Sequence, residues 1–92
     1  LANPSEMLEA LWEKLQAEHM LKVTKALLMK EFQGMAISAQ EREAVASDKY
    51  RQAVDRVVAA TVGYEKQKVE MERSRFTLEI YRTQQANQRY NI

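Results

Sequence analysis

Residues 38–92 read SAQEREAVASDKYRQAVDRVVAATVGYEKQKVEMERSRFTLEIYRTQQANQRYNI and contain no proline, no cysteine and a single glycine, Gly63. Helices in globular proteins average about 11–12 residues, so a run this long without a breaker is unusual. A helix over most of it would measure on the order of 75 Å. A compact chain of about 100 residues has a radius of gyration of about 13 Å. The run therefore predicts an elongated, helical molecule.

A first helix is predicted before this run. Asparagine at Asn3 suits the N-cap, and Pro4 suits the first helical position because it needs no amide donor there. Glu6 stands where a capping-box carboxylate reaches back to the cap amide. Gly34 is the residue type that commonly follows a helix end. These signals predict a helix over about residues 4–33.

A second helix start is predicted at Ser38, which forms an S-x-x-E capping box with Glu41. The helix is predicted over about residues 39–89, after a link at 34–38. Links this short usually join antiparallel neighbours. The sequence therefore predicts one all-α domain over residues 1–92, an antiparallel helical hairpin. Its second helix overhangs the first by about 20 residues, or about 30 Å.

A break in the second helix is the alternative. If Gly63 ends a helix, three shorter helices form a monomeric three-helix bundle. Ser47-Asp48 is a second possible break. Against a break at Gly63, its neighbours include no proline, asparagine or aspartate, and an isolated glycine costs a helix only about 1 kcal/mol.

Each predicted helix carries apolar residues on two faces. The second helix has two rows at helical spacing. One is Val58, Val62, Val69, Phe76 and Ile80, and the other is Tyr50, Val54, Val57, Thr61, Tyr64, Met71 and Leu78. The first helix has a row in its first half and a rotated band in its second half. The row is Leu8, Trp12, Leu15, His19, Val23 and Ala26, and the band is Met20, Val23, Leu27, Leu28 and Phe32.

Two apolar faces on one helix require two neighbours. The second helix supplies one, and Leu28 is expected to face it. A second copy of the chain supplies the other most simply, so we expect an intermolecular helical bundle, with an antiparallel dimer as the first expectation. The candidate self-association residues are Trp12, Leu15, His19, Val69, Phe76 and Ile80.

The net charge of +1 is unevenly distributed. Residues 1–48 carry five basic and eight acidic residues, and residues 49–92 carry nine basic and five acidic residues. A basic second half with interleaved aromatic residues indicates, as an alternative, contact with nucleic acid. The candidates are Lys66, Lys68, Arg73, Arg75, Arg82 and Arg89. Glutamates at positions 65, 70, 72 and 79 lie among them, which is typical of a solvated helix surface.

No motif for chemistry is present. His19 is the only histidine and lacks the further histidine or cysteine ligands of a zinc site. Glu6, Glu9 and Glu13 share a face near a helix start, where the macrodipole alone explains them. Glycine-rich phosphate loops and hydrolase motifs are absent. We expect no enzyme activity, no cofactor and no metal.

No apolar run approaches the roughly 20 residues that cross a membrane, so no membrane partner is expected. The lack of cysteine fits a reducing compartment, and a cytoplasmic location is the default expectation.

The second half of the chain resembles small helical proteins encoded by tailed phages and prophages. The resemblance is carried by Ala44, Tyr50, Val54, Tyr64-Glu65 and the ending EIYRTQQANQR at 79–89. It implies an origin among phage replication and recombination genes, and it implies no catalytic residue. The sequence therefore predicts a self-associating interaction or scaffolding protein. An accessory nucleic-acid-binding protein is the alternative.

Overall fold

A computed structural model describes residues 3–90, which form three helices: α1 (Pro4–Glu31), α2 (Ile37–Ala46) and α3 (Asp48–Tyr90). Within that range no residue is in a strand. The molecule is a rod of 82 × 20 × 16 Å with a radius of gyration of 22.3 Å. The predicted all-α fold with a long final helix is confirmed.

The start of α1 is the predicted one. The Asn3 side chain accepts a hydrogen bond from the Ser5 amide at 2.9 Å, and Pro4 is the first helical residue. The helix ends at Glu31, slightly before the predicted residue 33. Phe32 has left helical geometry, and its amide donates to the Met29 carbonyl at 3.1 Å in a tightened last turn. Gly34 then adopts a φ of 98°, which only glycine adopts readily.

The predicted capping box at Ser38 is wrong. The N-cap of α2 is Ala36, which makes no side-chain cap bond, and the helix begins at Ile37. The carboxylate of Glu41 instead binds Lys25 of α1 at 2.6 Å. The Glu41 side chain, which the capping box would have used, therefore forms a tertiary ion pair instead.

The predicted second helix is divided at Ser47. This residue is extended, with φ −70° and ψ 143°. Its carbonyl accepts the Arg51 amide at 3.1 Å, and its hydroxyl accepts the Lys49 amide at 3.3 Å. These are the bonds of an N-cap, a position that serine favours, and Asp48 in the first turn suits the positive end of the new helix. Of the two possible breaks, Ser47-Asp48 is therefore the one that occurs.

The alternative break at Gly63 does not occur, because α3 runs through it without interruption. A Cβ added at Gly63 would meet nothing within 4 Å. The three-helix bundle that such a break would give is therefore not the fold.

The helices α1 and α3 run antiparallel. The ammonium group of Lys14 lies 5.0 Å from the centre of the Tyr64 ring, whereas Leu28 shares a shallow groove with Gln52 and Ala53. Half-buried or buried residues recur every seven positions on both helices, as in a coiled coil. They are Met7, Lys14, Leu21 and Leu28 on α1 and Tyr50, Val57, Tyr64 and Met71 on α3. The predicted row from Tyr50 to Met71 is thus the surface that meets α1.

The short helix α2 packs against both long helices. Leu28 is 5% exposed and Ala44 is fully buried, and no other hydrophobic residue of the described range is classed as buried. The Lys25 ammonium holds the pKa of Glu41 below its usual value by a hydrogen bond and by charge, and Glu41 in turn raises the pKa of Lys25. Leu28 therefore faces the hairpin interior as predicted, at the end where three helices meet.

Candidate interaction surfaces

The seam between α1 and α3 ends near Ser74, the last partly buried residue among positions 48–89 of α3. All residues from 75 to 89 are exposed, and we call this segment the overhang. It exists because α3 has 43 residues and α1 has 28. As predicted, the last helix is longer than the first and extends beyond it.

The overhang carries large apolar side chains in water. Phe76 is 64% exposed, Leu78 47%, Ile80 44% and Tyr81 57%. Val69, which precedes the overhang on the same helix, is 45% exposed. Large apolar side chains gathered on one short helical segment are typical of a surface that contacts another molecule.

A second apolar surface lies on α1, away from α3. Leu8 is 66% exposed, Trp12 64% and Leu15 54%, and His19 is exposed beside them. The predicted row in the first half of α1 is thus directed outward. The band in the second half is divided, since Leu28 faces inward whereas Met20 and Leu27 are 40% and 59% exposed.

The basic candidates do not form one continuous surface. Lys68 is partly buried, lies 5.7 Å from the Tyr64 ring and pairs with Glu65 at 3.9 Å. The other five are exposed: Lys66, Arg73, Arg75, Arg82 and Arg89. Three of these arginines lie on the overhang, at positions 75, 82 and 89. Their spacing of seven places them in one row along α3.

An acidic groove lies between the first half of α1 and the middle of α3. Its α1 wall carries Glu6, Glu9 and Glu13, and its α3 side includes Gly63 and Gln67. The three glutamates are exposed. The Oε1 atom of Gln67 is buried and accepts no hydrogen bond from any residue that the structure describes. The groove therefore combines negative charge with an unsatisfied acceptor.

Residues 3–90 contain no group of three or more histidine, cysteine or acidic side chains able to hold a metal ion. Across the same part of the chain, no helix is both long enough and apolar enough to pass through a bilayer.

Sequence reasoning missed part of the α1 seam. Met7, Lys14 and Leu21 lie on it, together with small residues such as Ala10 and Ala17. The large apolar residues of α1 are divided between its two faces, and the predicted row in its first half consists mainly of the exposed ones. The spacing of seven from Met7 to Leu28 was the available signal.

Comparison of the chain with protein-family models, curated proteins and solved structures yields no match. The resemblance to small phage-encoded helical proteins therefore stays a prediction.

Proposed function

We propose that this protein is a non-enzymatic helical scaffolding protein that self-associates, and that the assembled form binds another protein. The observation that carries the proposal is the distribution of apolar side chains. Only Leu28 and Ala44 are buried hydrophobic residues among those described, whereas at least fifteen large hydrophobic side chains are 40% exposed or more. Each one left in water forfeits about 1.5–3 kcal/mol relative to burial.

Many of the exposed apolar side chains are also clustered, which supports this proposal. Those of the overhang lie within residues 76–81, and three of those on α1, Leu8, Trp12 and Leu15, lie in one row. Scattered apolar residues are normal on protein surfaces, but contiguous ones mark contact sites. A cytoplasmic location, which suits a chain without cysteine, and an origin in a phage or prophage are part of the same proposal.

Light scattering of the purified protein tests self-association. We expect the wild-type chain at micromolar concentration to have at least twice the monomer mass of 10.7 kDa. The double change Phe76→Asp with Ile80→Asp should return the mass to the monomer value, because unpaired charge in an apolar seam is costly.

The matched control is Gln84→Asp with Gln88→Asp, which adds the same charge at the same spacing on the polar part of the overhang. It should leave the oligomer intact. A wild-type monomer would overturn self-association. An oligomer that survives the Phe76 and Ile80 changes would show that the overhang is not its interface.

A second candidate is an accessory role in phage replication or recombination through nucleic-acid binding. It is favoured by one observation: the overhang exposes Phe76 and Tyr81 beside Arg75 and Arg82. Aromatic rings stack on bases, and arginines neutralise phosphates. Binding to single-stranded DNA should then weaken steeply between about 50 and 200 mM salt. Oligomerisation through buried apolar surface should not weaken in this way.

A further inference from the structure

Five large apolar residues form one exposed row along the side of α3 that is turned away from α1. At about 100° per residue they fall within an arc of about 40°, centred about 130° from the row between Tyr50 and Met71 that meets α1. Each of the five is between 44% and 64% exposed. They are Val58, Val62, Val69, Phe76 and Ile80. The row is about 33 Å long, so it begins beside α1 and continues onto the overhang.

Charged residues of opposite sign border this outer row on its two edges. Lys66 and Arg73 lie on one edge, and Glu65 and Glu72 lie on the other, with seven residues between the members of each pair. All four are exposed. Val69 lies between the edges in a shallow groove that Glu65, Lys66 and Arg73 also line. This surface of α3 therefore has an apolar centre, a basic edge and an acidic edge.

We propose that the outer row of α3 packs against the outer row of a second copy of this chain, with the two helices parallel and in register. The inference rests on the self-association proposed above and specifies its interface and orientation. Each apolar residue of the row then lies level with its own copy in the partner subunit. Both copies use the same surface, so the interface closes as a dimer and does not extend into a filament.

The two charged edges favour the parallel orientation. A twofold axis along the helices places the basic edge of each copy beside the acidic edge of the other. Lys66 then lies beside Glu65 of the partner subunit, and Arg73 lies beside Glu72 of the partner subunit. Glu65 is also 3.9 Å from the Lys68 ammonium of its own chain, and a carboxylate has acceptor sites for both cations. Complementary charges of this kind fix the register of an interface.

An antiparallel pairing through the same row would bring like charges together. Its twofold axis is perpendicular to the helices, so each edge faces the same edge of the partner. The basic residues of both copies would gather on one side of the row, and the acidic residues of both copies on the other. Like charges brought together at an interface disfavour the complex. This surface therefore favours a parallel dimer over the antiparallel dimer expected from the sequence.

The parallel pairing keeps α1 on the outside of the dimer, because α1 packs on the other side of α3. The exposed row at Leu8, Trp12 and Leu15 then stays accessible to a further protein. The two rods lie side by side along their length, so the dimer stays close to the 82 Å length of one chain.

Charge-reversed variants of the full chain test the pairing. The edge variant is Lys66→Glu with Arg73→Glu. It should raise the dissociation constant of the dimer at least about tenfold, because acidic residues then occupy both edges of both copies. The matched control is Arg75→Glu with Arg82→Glu, which makes the same change in charge at the same spacing on another face of α3. It should leave the dissociation constant within about twofold, because solvent and salt screen its charges from the partner.

Exchange of the two edges should restore the dimer. The exchanged variant adds Glu65→Lys and Glu72→Lys to the edge variant, so a basic edge again lies beside an acidic edge of the partner. Its dissociation constant should return to within about threefold of the wild-type value, because changes at contacting residues are not additive. Sedimentation velocity measures each dissociation constant, after circular dichroism has verified that each variant keeps the wild-type helicity.

Cysteine cross-linking tests the orientation, since the chain has no cysteine of its own. Val62→Cys and Thr83→Cys lie three heptads apart on the paired face, and each should form a disulfide-linked dimer. Glu70→Cys is the control on a side of α3 turned from the partner and should not. In an antiparallel pair centred on Val69, the two copies of residue 62 would be about 21 Å apart, whereas a disulfide needs Cα atoms within about 7 Å.

Two results would overturn the parallel pairing while self-association stands. One is an unchanged dissociation constant in the edge variant. The other is cross-linking of Val69→Cys without cross-linking of Val62→Cys, which would indicate an antiparallel dimer. A wild-type chain that is monomeric at micromolar concentration would overturn both proposals together.

Discussion

Two adjacent leucines of α1 differ greatly in solvent exposure. Leu28 is 5% exposed, and Leu27 is 59% exposed. One helical residue turns the side chain by 100°, so neighbours in sequence lie on different faces. Leu28 lies where α1 approaches Gln52 and Ala53 of α3, and Leu27 lies toward solvent on the edge of the same shallow groove.

This difference yields a stability prediction. Leu28→Ala should lower the free energy of unfolding by about 2–5 kcal/mol, because a buried leucine loses its transfer energy and leaves a cavity. Leu27→Ala is the matched control and should cost no more than about 0.5 kcal/mol. Urea unfolding followed by circular dichroism measures both. Equal losses of unfolding free energy in the two variants would contradict the assignment of Leu28 to the inward face of α1 and of Leu27 to the outward face.

The seam between α1 and α3 also includes a charged residue. Lys14 lies on the α3 side of α1, with its ammonium group over the Tyr64 ring. A cation over an aromatic ring contributes about 0.5–1 kcal/mol at exposed sites, and the lysine stem covers apolar surface. A charged residue at a seam position is therefore compatible with the packing.

At the scale of the element, Ser47 decides that there are three helices and not two. Its extended backbone ends α2, and its carbonyl and hydroxyl accept the first amides of α3. This change of direction lets α2 pack beside α1, where the Lys25–Glu41 ion pair forms.

The two serines at helix starts allow a paired test. Ser47→Ala removes a cap bond and should cost about 0.5–2 kcal/mol of stability. Ser38→Ala should change stability by less than about 0.5 kcal/mol, because Ser38 is exposed and α2 is capped at Ala36 without a side-chain bond. Thermal and denaturant unfolding of both variants measure the difference. A large loss at Ser38 alone would restore the capping box that we reject.

At the scale of the whole molecule, length is the distinguishing property. A monomer is 82 Å long. Antiparallel pairing of the two overhangs alone, which overlaps about 15 residues or about 22 Å of each copy, predicts a dimer with a maximum dimension of about 140 Å. A dimer formed by full side-by-side overlap, such as the parallel pairing proposed above, would stay near the monomer length. Small-angle X-ray scattering at a concentration where the dimer dominates separates the two, and a value near 80 Å would exclude the end-overlapped form.

Much of the fold follows from the sequence itself. Helix starts and ends depend largely on local backbone preferences, which can be read from the sequence. The local signals here are the Asn3-Pro4 start, the glycine after α1 and the absence of proline from residue 38 onward. The row from Tyr50 to Met71 repeats with helical spacing, so its burial against a neighbouring helix was also predictable. The candidate surface residues on the overhang were predictable for the same reason, since a helix longer than its neighbour leaves its excess uncovered.

Tertiary contacts decided the rest. Glu41 was available either to a local cap or to Lys25, and only the approach of α2 to α1 selects the ion pair. Ser47 and Gly63 were both possible breaks in the helix. The break lies at Ser47, where the change of direction lets α2 pack against α1. Large apolar residues lie on both faces of α1, so their presence alone does not identify the face that α3 covers. The acidic groove exists only because antiparallel packing brings the first part of α1 beside Gly63 and Gln67, residues fifty or more positions away in the chain.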